Sequence, residues 1–166
     1  MPAKFRLAKM DALMIGFTVF CWALVIMFFL AAFADLKAAP IALAGIFMLL
    51  IYASVWFWWR PGSFEIDEGT LALKFPLRTI SVKRADITAC AAITPKELKN
   101  RFGNTYRVGA GGLWGGFGWL RTSKKSWIEF YISRQSDYVL IEREEQIPLL
   151  LTPTEPERFV EILNGN

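Results

Sequence analysis

The chain has 166 residues, 54% of them hydrophobic, with 19 Lys or Arg against 15 Asp or Glu for a net charge of +4. Histidine is absent, which removes the commonest metal ligand, the usual haem ligand and every Ser-His or Cys-His catalytic pair. Of the two cysteines, Cys21 falls in an apolar run and Cys90 in the polar tail, so a disulfide framework is excluded.

Residues 1–11 are a short basic segment, with Lys4, Arg6 and Lys9 against Asp11. Ala12 to Ala34 then gives 23 residues without a charge, and Ala39 to Trp59 gives 21 more after the break at residues 35–38. At a rise of about 1.5 Å per residue, each run is roughly 30–35 Å long, enough to cross the apolar part of a bilayer. In hydrocarbon the backbone must satisfy itself within each segment, so the pair is expected as a transmembrane helical hairpin. A hairpin buried in a soluble core is the alternative, but a chain of this length lacks the mass to cover two such helices on all sides. A cleaved signal peptide would also start basic and end near Ala32-Phe33-Ala34, yet the first run exceeds the about 7–15 apolar residues of such a segment.

Lys and Arg flank the hairpin on its terminal side, while Lys37 in the short loop is balanced by Asp35. Both termini are therefore expected in the cytoplasm, at a bacterial inner membrane, with loop 35–38 outside. Trp56, Trp58 and Trp59 with Arg60 are expected as interfacial anchors, the indoles at headgroup level and the guanidinium kept wet. Pro61-Gly62 stops the helix, so the tail must sit close against the membrane. Ala38, Ala42 and Gly45 recur at helical spacing and are expected to admit close packing of the first helix.

The tail changes to a period of two. Phe64 and Ile66, then Leu71, Leu73 and Phe75, alternate with polar residues around Asp67-Glu68-Gly69, a hairpin signal. Residues 79–84 and 87–93 continue extended, and Thr94 to Lys99 is a turn or short helix. Further strands are expected at 127–133, 138–142 and 147–151, with a start near Phe117 for one more. Thr154-Glu155-Pro156-Glu157 has the pattern of a capping box opening a helix whose apolar stripe is Phe159, Val160, Ile162 and Leu163. Short strands closed by one amphipathic helix point to a β-rich sandwich or barrel.

Residues 101–121 carry seven glycines, at 103, 109, 111, 112, 115, 116 and 118. Neither a dinucleotide fingerprint nor a P-loop is present, because Trp114 stands where the third glycine belongs and no Gly-Lys-Ser/Thr follows. Turns and bulges explain the glycines better. Leu113 and Trp114, large apolar side chains beside basic residues, are expected either to dip into the headgroup region or to join the core.

Charge is split within the tail. Residues 74–125 hold 11 Lys or Arg and 2 acids, whereas 126–166 hold 3 basic and 8 acidic residues. Lys83, Arg84, Arg101, Arg107, Arg121, Lys124 and Lys125 are expected to face an anionic leaflet, which attracts each nearby basic residue by about 1 kcal/mol. Pairing of the two halves across strands is the alternative. Nucleic-acid binding is not expected, since the bilayer would occupy the basic face.

Arg101-Phe102-Gly103, the glycines through Gly118-Trp119, the strand Trp127–Tyr131, Val139-Leu140-Ile141-Glu142, Leu149-Leu150-Leu151-Thr152-Pro153 and Glu157-Arg158-Phe159 carry a resemblance. Over residues 63–163 they resemble the bacterial PH-like domain family found behind N-terminal transmembrane helices. The resemblance implies a PH-like fold, two antiparallel and roughly orthogonal sheets closed by a C-terminal helix. Where phosphoinositide-binding PH domains have a basic loop between their first strands, this chain has Asp67-Glu68-Gly69, which argues against that headgroup site.

No catalytic residue, metal site or cofactor is expected. The functional expectation is a membrane-anchored module that docks proteins at the cytoplasmic surface, as a scaffold or as an accessory subunit of a larger membrane complex. Binding of an anionic lipid or small ligand at the basic, aromatic face is the alternative.

Overall fold

The structure, a computed structural model, describes residues 2–34 and 39–165. The expected external loop at 35–38, including Ala38, lies outside the described residues. Strand β1 (Ala3–Arg6) precedes helices α1 (Ala12–Ala34) and α2 (Ala39–Ser54), and a π-helical turn (Val55–Trp59) prolongs α2. Strands β2 (Ser63–Ile66), β3 (Thr70–Lys74), β4 (Thr79–Lys83) and β5 (Ile87–Ile93) follow, then helix α3 (Pro95–Phe102). The chain continues through β6 (Thr105–Gly111), β7 (Gly116–Thr122), β8 (Trp127–Ile132), β9 (Tyr138–Arg143) and β10 (Gln146–Leu151) to helix α4 (Pro156–Asn164).

Residues 1–11 are more than a basic flank, because Ala3–Arg6 is the edge strand of the first sheet. That sheet has the order β1-β2-β3-β4, with Arg6 opposite Ser63 and Ala3 opposite Ile66. Phe5 points inward and is buried against Phe159 at a ring separation of 5.2 Å, while Lys4 points outward to Glu65 at 3.0 Å. Beside Lys4, and with Lys74 also near, the Glu65 carboxyl is held below the usual carboxylate range. The hairpin is thus an insertion between two paired strands, and the β domain begins before it.

The second sheet has six strands in the order β5-β9-β10-β8-β7-β6. Its pairs are antiparallel except β10 with β8, which are parallel because β9 skips a place and β10 returns between its predecessors. One face of this sheet meets the four-stranded sheet and α4 around Phe64, Leu71, Leu73, Phe117, Ile141 and Phe159. The other face is covered by α3 through Leu98, over Leu120, Ile128, Phe130 and Leu140.

The expected capping box at Thr154 is not formed, since α4 starts from Glu155 without a side-chain cap. Thr154 instead gives its N–H to the Arg6 carbonyl (3.0 Å), which ties the helix start to β1. The same Thr-x-x-Glu pattern does work at α3, where Thr94 and Glu97 cap each other's backbone N–H groups at 3.2 and 2.7 Å. At the far end of α4, Arg84 donates to the carbonyls of Ile162 (3.0 Å) and Leu163 (2.7 Å), satisfying orphan acceptors at the negative end of the helix.

Only 17% of the most apolar window of each hairpin helix is buried, so both present bare hydrocarbon outward. That is the pattern of a membrane-associated hairpin and not of a soluble core. Within the pair, the Tyr52 hydroxyl donates to the Cys21 carbonyl at 3.0 Å. Gly45 is buried, and a Cβ there would stand 3.3 Å from the Phe29 ring and 3.4 Å from Phe28, whereas Ala42 is half-buried. Gly45→Leu is therefore expected to pry the helices apart. A cost of about 1–3 kcal/mol, the usual scale of overpacking, should appear as a lower melting temperature of the detergent-solubilised protein, with Gly45→Ala much milder.

Candidate functional site

The glycine-rich segment is a β-hairpin with a four-residue tip, not a loop, and β6 within it is a strand that the glycines conceal. Gly109 faces Gly118 across the pair at φ of +136° and +132°, and a Cβ on either would approach the opposite strand's carbonyl oxygen to about 2.4–2.5 Å. No side chain fits there, so the two strands close on each other and carry the tip, residues 112–115, out onto the helical hairpin.

At the tip, backbone groups enter an apolar setting where each must find a partner. Thr18 of α1 provides it. Its Oγ1 accepts the Trp114 N–H at 2.9 Å and lies 3.1 Å from the Gly112 carbonyl and 2.8 Å from its own helix's Met14 carbonyl. Gly112 sits at φ +99°, where a Cβ would stand 3.1 Å from that of Phe17, so the contact is backbone against helix. Trp114 adopts φ 58°, a left-handed conformation that costs a bulky residue on the order of 1–2 kcal/mol. Its ring is held by Trp56 (4.8 Å), Tyr52 (6.3 Å) and Trp22 (6.4 Å), an aromatic cluster shared by both helices and the tip.

The base of the hairpin is fixed as well. Asp11 caps α1 by accepting the Met14 N–H at 2.8 Å, and its other oxygen accepts the Gln135 N–H at 2.9 Å. Ala8 donates to the Thr152 carbonyl (2.9 Å) and accepts from the Ser133 hydroxyl (2.6 Å), while Gly62 N–H bonds Lys74 (2.8 Å). Base and tip together attach the domain to the hairpin on both helices.

The expected site residues divide sharply. Trp56 and Trp59 contact the domain, Trp59 meeting Trp119 edge to face at 5.6 Å, whereas Trp58 is 48% exposed. Arg60 lies 4.5 Å over the Trp56 ring, and burial lowers its pKa from the ordinary value without discharging it. Leu113 is 6% exposed and belongs to the core, and Trp114 packs on the hairpin.

The basic set is spread along the domain, most of it away from the hairpin's exit. The hairpin leaves the first sheet beside Arg6 and Ser63, but Lys83 pairs with Thr70 and Arg84 with Gly69, at the opposite end. Arg84 is spent on α4. Arg101 pairs with Glu142, Lys124 bonds the Arg101 carbonyl, and Lys125 shares the same remote β7–β8 turn. That turn stands about 20 Å from the tip, six strand residues at about 3.3 Å each. Arg107, opposite Leu120, and Arg121, over Trp127 at 5.7 Å, lie between. The expected lipid-facing row is therefore not gathered in one place: strand register carries its ends away from the hairpin's exit, and part of it pairs with the acidic half. The end that does face the hairpin's exit is the β3–β4 turn, where Leu77 is 59% exposed and Arg78 lies 4.6 Å over Phe75.

Among the described residues, no group of three or more Cys, Asp or Glu is placed to hold a metal. Burial pushes the Cys90 thiol up to about 12, which leaves it protonated at neutral pH and a poor nucleophile.

Two β-sheets closed by a C-terminal helix, with an apolar hairpin inserted between the first two strands, define a membrane-associated β module. The chain belongs to the family described as bacterial PH domain, whose model matches residues 62–166. The match begins at Gly62, so β1 and the hairpin lie outside it. No curated protein and no solved structure matches the chain.

Proposed function

We propose that this chain is a non-enzymatic, membrane-anchored PH-like module that docks another protein at the cytoplasmic face of a bacterial inner membrane, as a scaffold or as an accessory subunit. The observation that supports docking is an exposed apolar face on β6, β7 and β8. Tyr106 (66% exposed), Val108, Trp119 and Trp127 lie there with Ile147, next to Trp59 at the end of the span. Aromatic side chains with a charged rim are the usual centre of a protein interface, and Arg121 supplies that rim. A partner seated on this face would be held at the bilayer surface by the rigid hairpin attachment.

The basic flank Lys4, Arg6, Lys9 and Arg60 supports a cytoplasmic domain. The test is the mass of the full-length protein purified gently from its native membranes. An assembly heavier than the 18.9 kDa chain is expected, reverting to the lone chain in a Val108→Glu, Trp127→Glu double variant. A lone chain from the start, or an assembly indifferent to the double variant, overturns the proposal.

A further inference from the structure

The lipid-facing side of the hairpin holds a groove of about 410 Å³ beside the docked tip, between Trp22, Tyr52, Trp56 and Trp114 with Leu49 and Ala53 on its floor. Its lining is almost entirely carbon. Apart from the indole N–H groups of its tryptophans, the one polar group nearby is the Tyr52 hydroxyl, already committed to the Cys21 carbonyl, so the groove suits a hydrocarbon chain better than a polar ligand.

One helical turn beyond Trp56, roughly 6 Å along the axis, Arg60 follows on the side of the groove nearer the end of the span. Its guanidinium covers the Trp56 ring at 4.5 Å, and its Nε is buried without a hydrogen-bond partner among the described residues. None of the ion pairs among the described residues includes it. Arg60 as a whole is only half-buried and its terminal Nη atoms are not enclosed as Nε is, so they can meet an acceptor from outside, and this depth in a leaflet is where phosphate oxygens lie.

We propose that the groove and Arg60 together form a site for one anionic phospholipid, the phosphate accepting from the Arg60 guanidinium and an acyl chain lying between Trp22 and Trp56. A zwitterionic lipid carries an ammonium that offsets the charge match, and a partner helix would have to bring its own acceptor to Arg60. The anionic lipid satisfies both halves at once. Bound there, it would brace the aromatic cluster that receives Trp114 and so help hold the domain's angle to the membrane. The site rests on the hairpin spanning the bilayer and is independent of the protein-docking role.

Native mass spectrometry of the full-length protein, with phosphatidylglycerol and phosphatidylcholine of identical chains as probes, tests it. Wild type is expected to retain one phosphatidylglycerol about tenfold better, the scale of one charge-assisted hydrogen bond. Arg60→Gln should retain the two lipids equally, and Ala53→Phe, which fills the groove, should lose both. Resistance to alkaline extraction, unchanged in each variant, separates loss of the site from loss of the span. Equal retention by wild type, or an undiminished preference in Arg60→Gln, overturns the proposal, as does undiminished retention in Ala53→Phe.

Discussion

A fragment of residues 62–166, the stretch matched by the family model, is expected to fail as a cooperatively folding domain. It lacks β1, and with it Phe5, which packs 5.2 Å from the ring of Phe159 while Phe159 in turn meets Phe64 at 6.1 Å. Loss of one buried phenylalanine costs about 3–5 kcal/mol. A whole domain is stable by only about 5–15 kcal/mol, and the fragment also leaves the edge of β2 unpaired and the start of α4 untied from Arg6. A second fragment isolates the cause. Because Leu7 and Gly62 are already neighbours, with a backbone hydrogen bond of 3.4 Å, a short Asn-Gly turn can join residues 2–7 directly to residues 62–166 in place of the hairpin. Both fragments expose Leu113 and Trp114 equally, so they differ in β1 and the Leu7 that follows it. Thermal unfolding followed by circular dichroism should show a cooperative transition in the joined fragment and none in the shorter one. Equal melting of the two would mean that β1 is an accessory strand. The expected outcome makes the hairpin something other than a tail-end anchor: it is threaded through the fold, and membrane insertion and domain folding share the same two strands.

What the sequence made legible follows from what repeats in it. Two uncharged runs longer than 20 residues can hardly be anything but helices long enough to span, and alternation at Leu71, Leu73 and Phe75 is a strand in almost any context. The N-terminal strand was hidden because four residues with two outward charges look like the basic flank that membrane helices ordinarily carry. Strand β6 was hidden by Gly109 and Gly111, whose low strand propensity is overridden by the close pairing with β7 that only glycine allows. Thr154 and Thr94 open the same pattern, and only the tertiary tie of Thr154 to Arg6 decides that the box forms at one and not the other. Asp11 could have been found, since an aspartate directly before an apolar run is a natural N-cap. Trp22 and Tyr52 also gave a signal, as amphipathic aromatics more than a turn inside their spans, away from the interface where such rings usually stay. The spread of the basic row was hidden for a different reason: charge content is a property of sequence, but which end of a strand lies near the hairpin is a property of register.

Thr18→Val is expected to release the tip from the hairpin while leaving both elements folded. The substitution keeps the shape of the side chain and removes a single oxygen, yet that oxygen serves the Trp114 N–H at 2.9 Å and shares its proton between the carbonyls of Gly112 and Met14. The Met14 carbonyl keeps its helical partner, so the loss falls on the tip. An orphaned buried N–H costs about 1–3 kcal/mol, and Trp114 has no reserve, since its left-handed backbone is sustained only by the contacts around it. Hydrogen exchange of the amides at 112–115, measured on the full-length protein in lipid nanodiscs, should accelerate by about 5- to 150-fold on that scale. Thr18→Ser, which retains the hydroxyl, should stay near wild type. Gly112→Ala should reproduce the valine effect from the other side, because its Cβ would press on Phe17 at 3.1 Å and its φ of +99° disfavours any side chain. Unchanged exchange in Thr18→Val would mean that the aromatic cluster alone seats the tip. With the tip released, the domain keeps its attachments at Ala8, Asp11 and Gly62, but these all lie at the base of the hairpin. Attachments at one level fix a position; the tip contact, more than a helical turn deeper, is what fixes an angle. Thr18 is therefore the residue through which the hairpin sets the angle of the β domain.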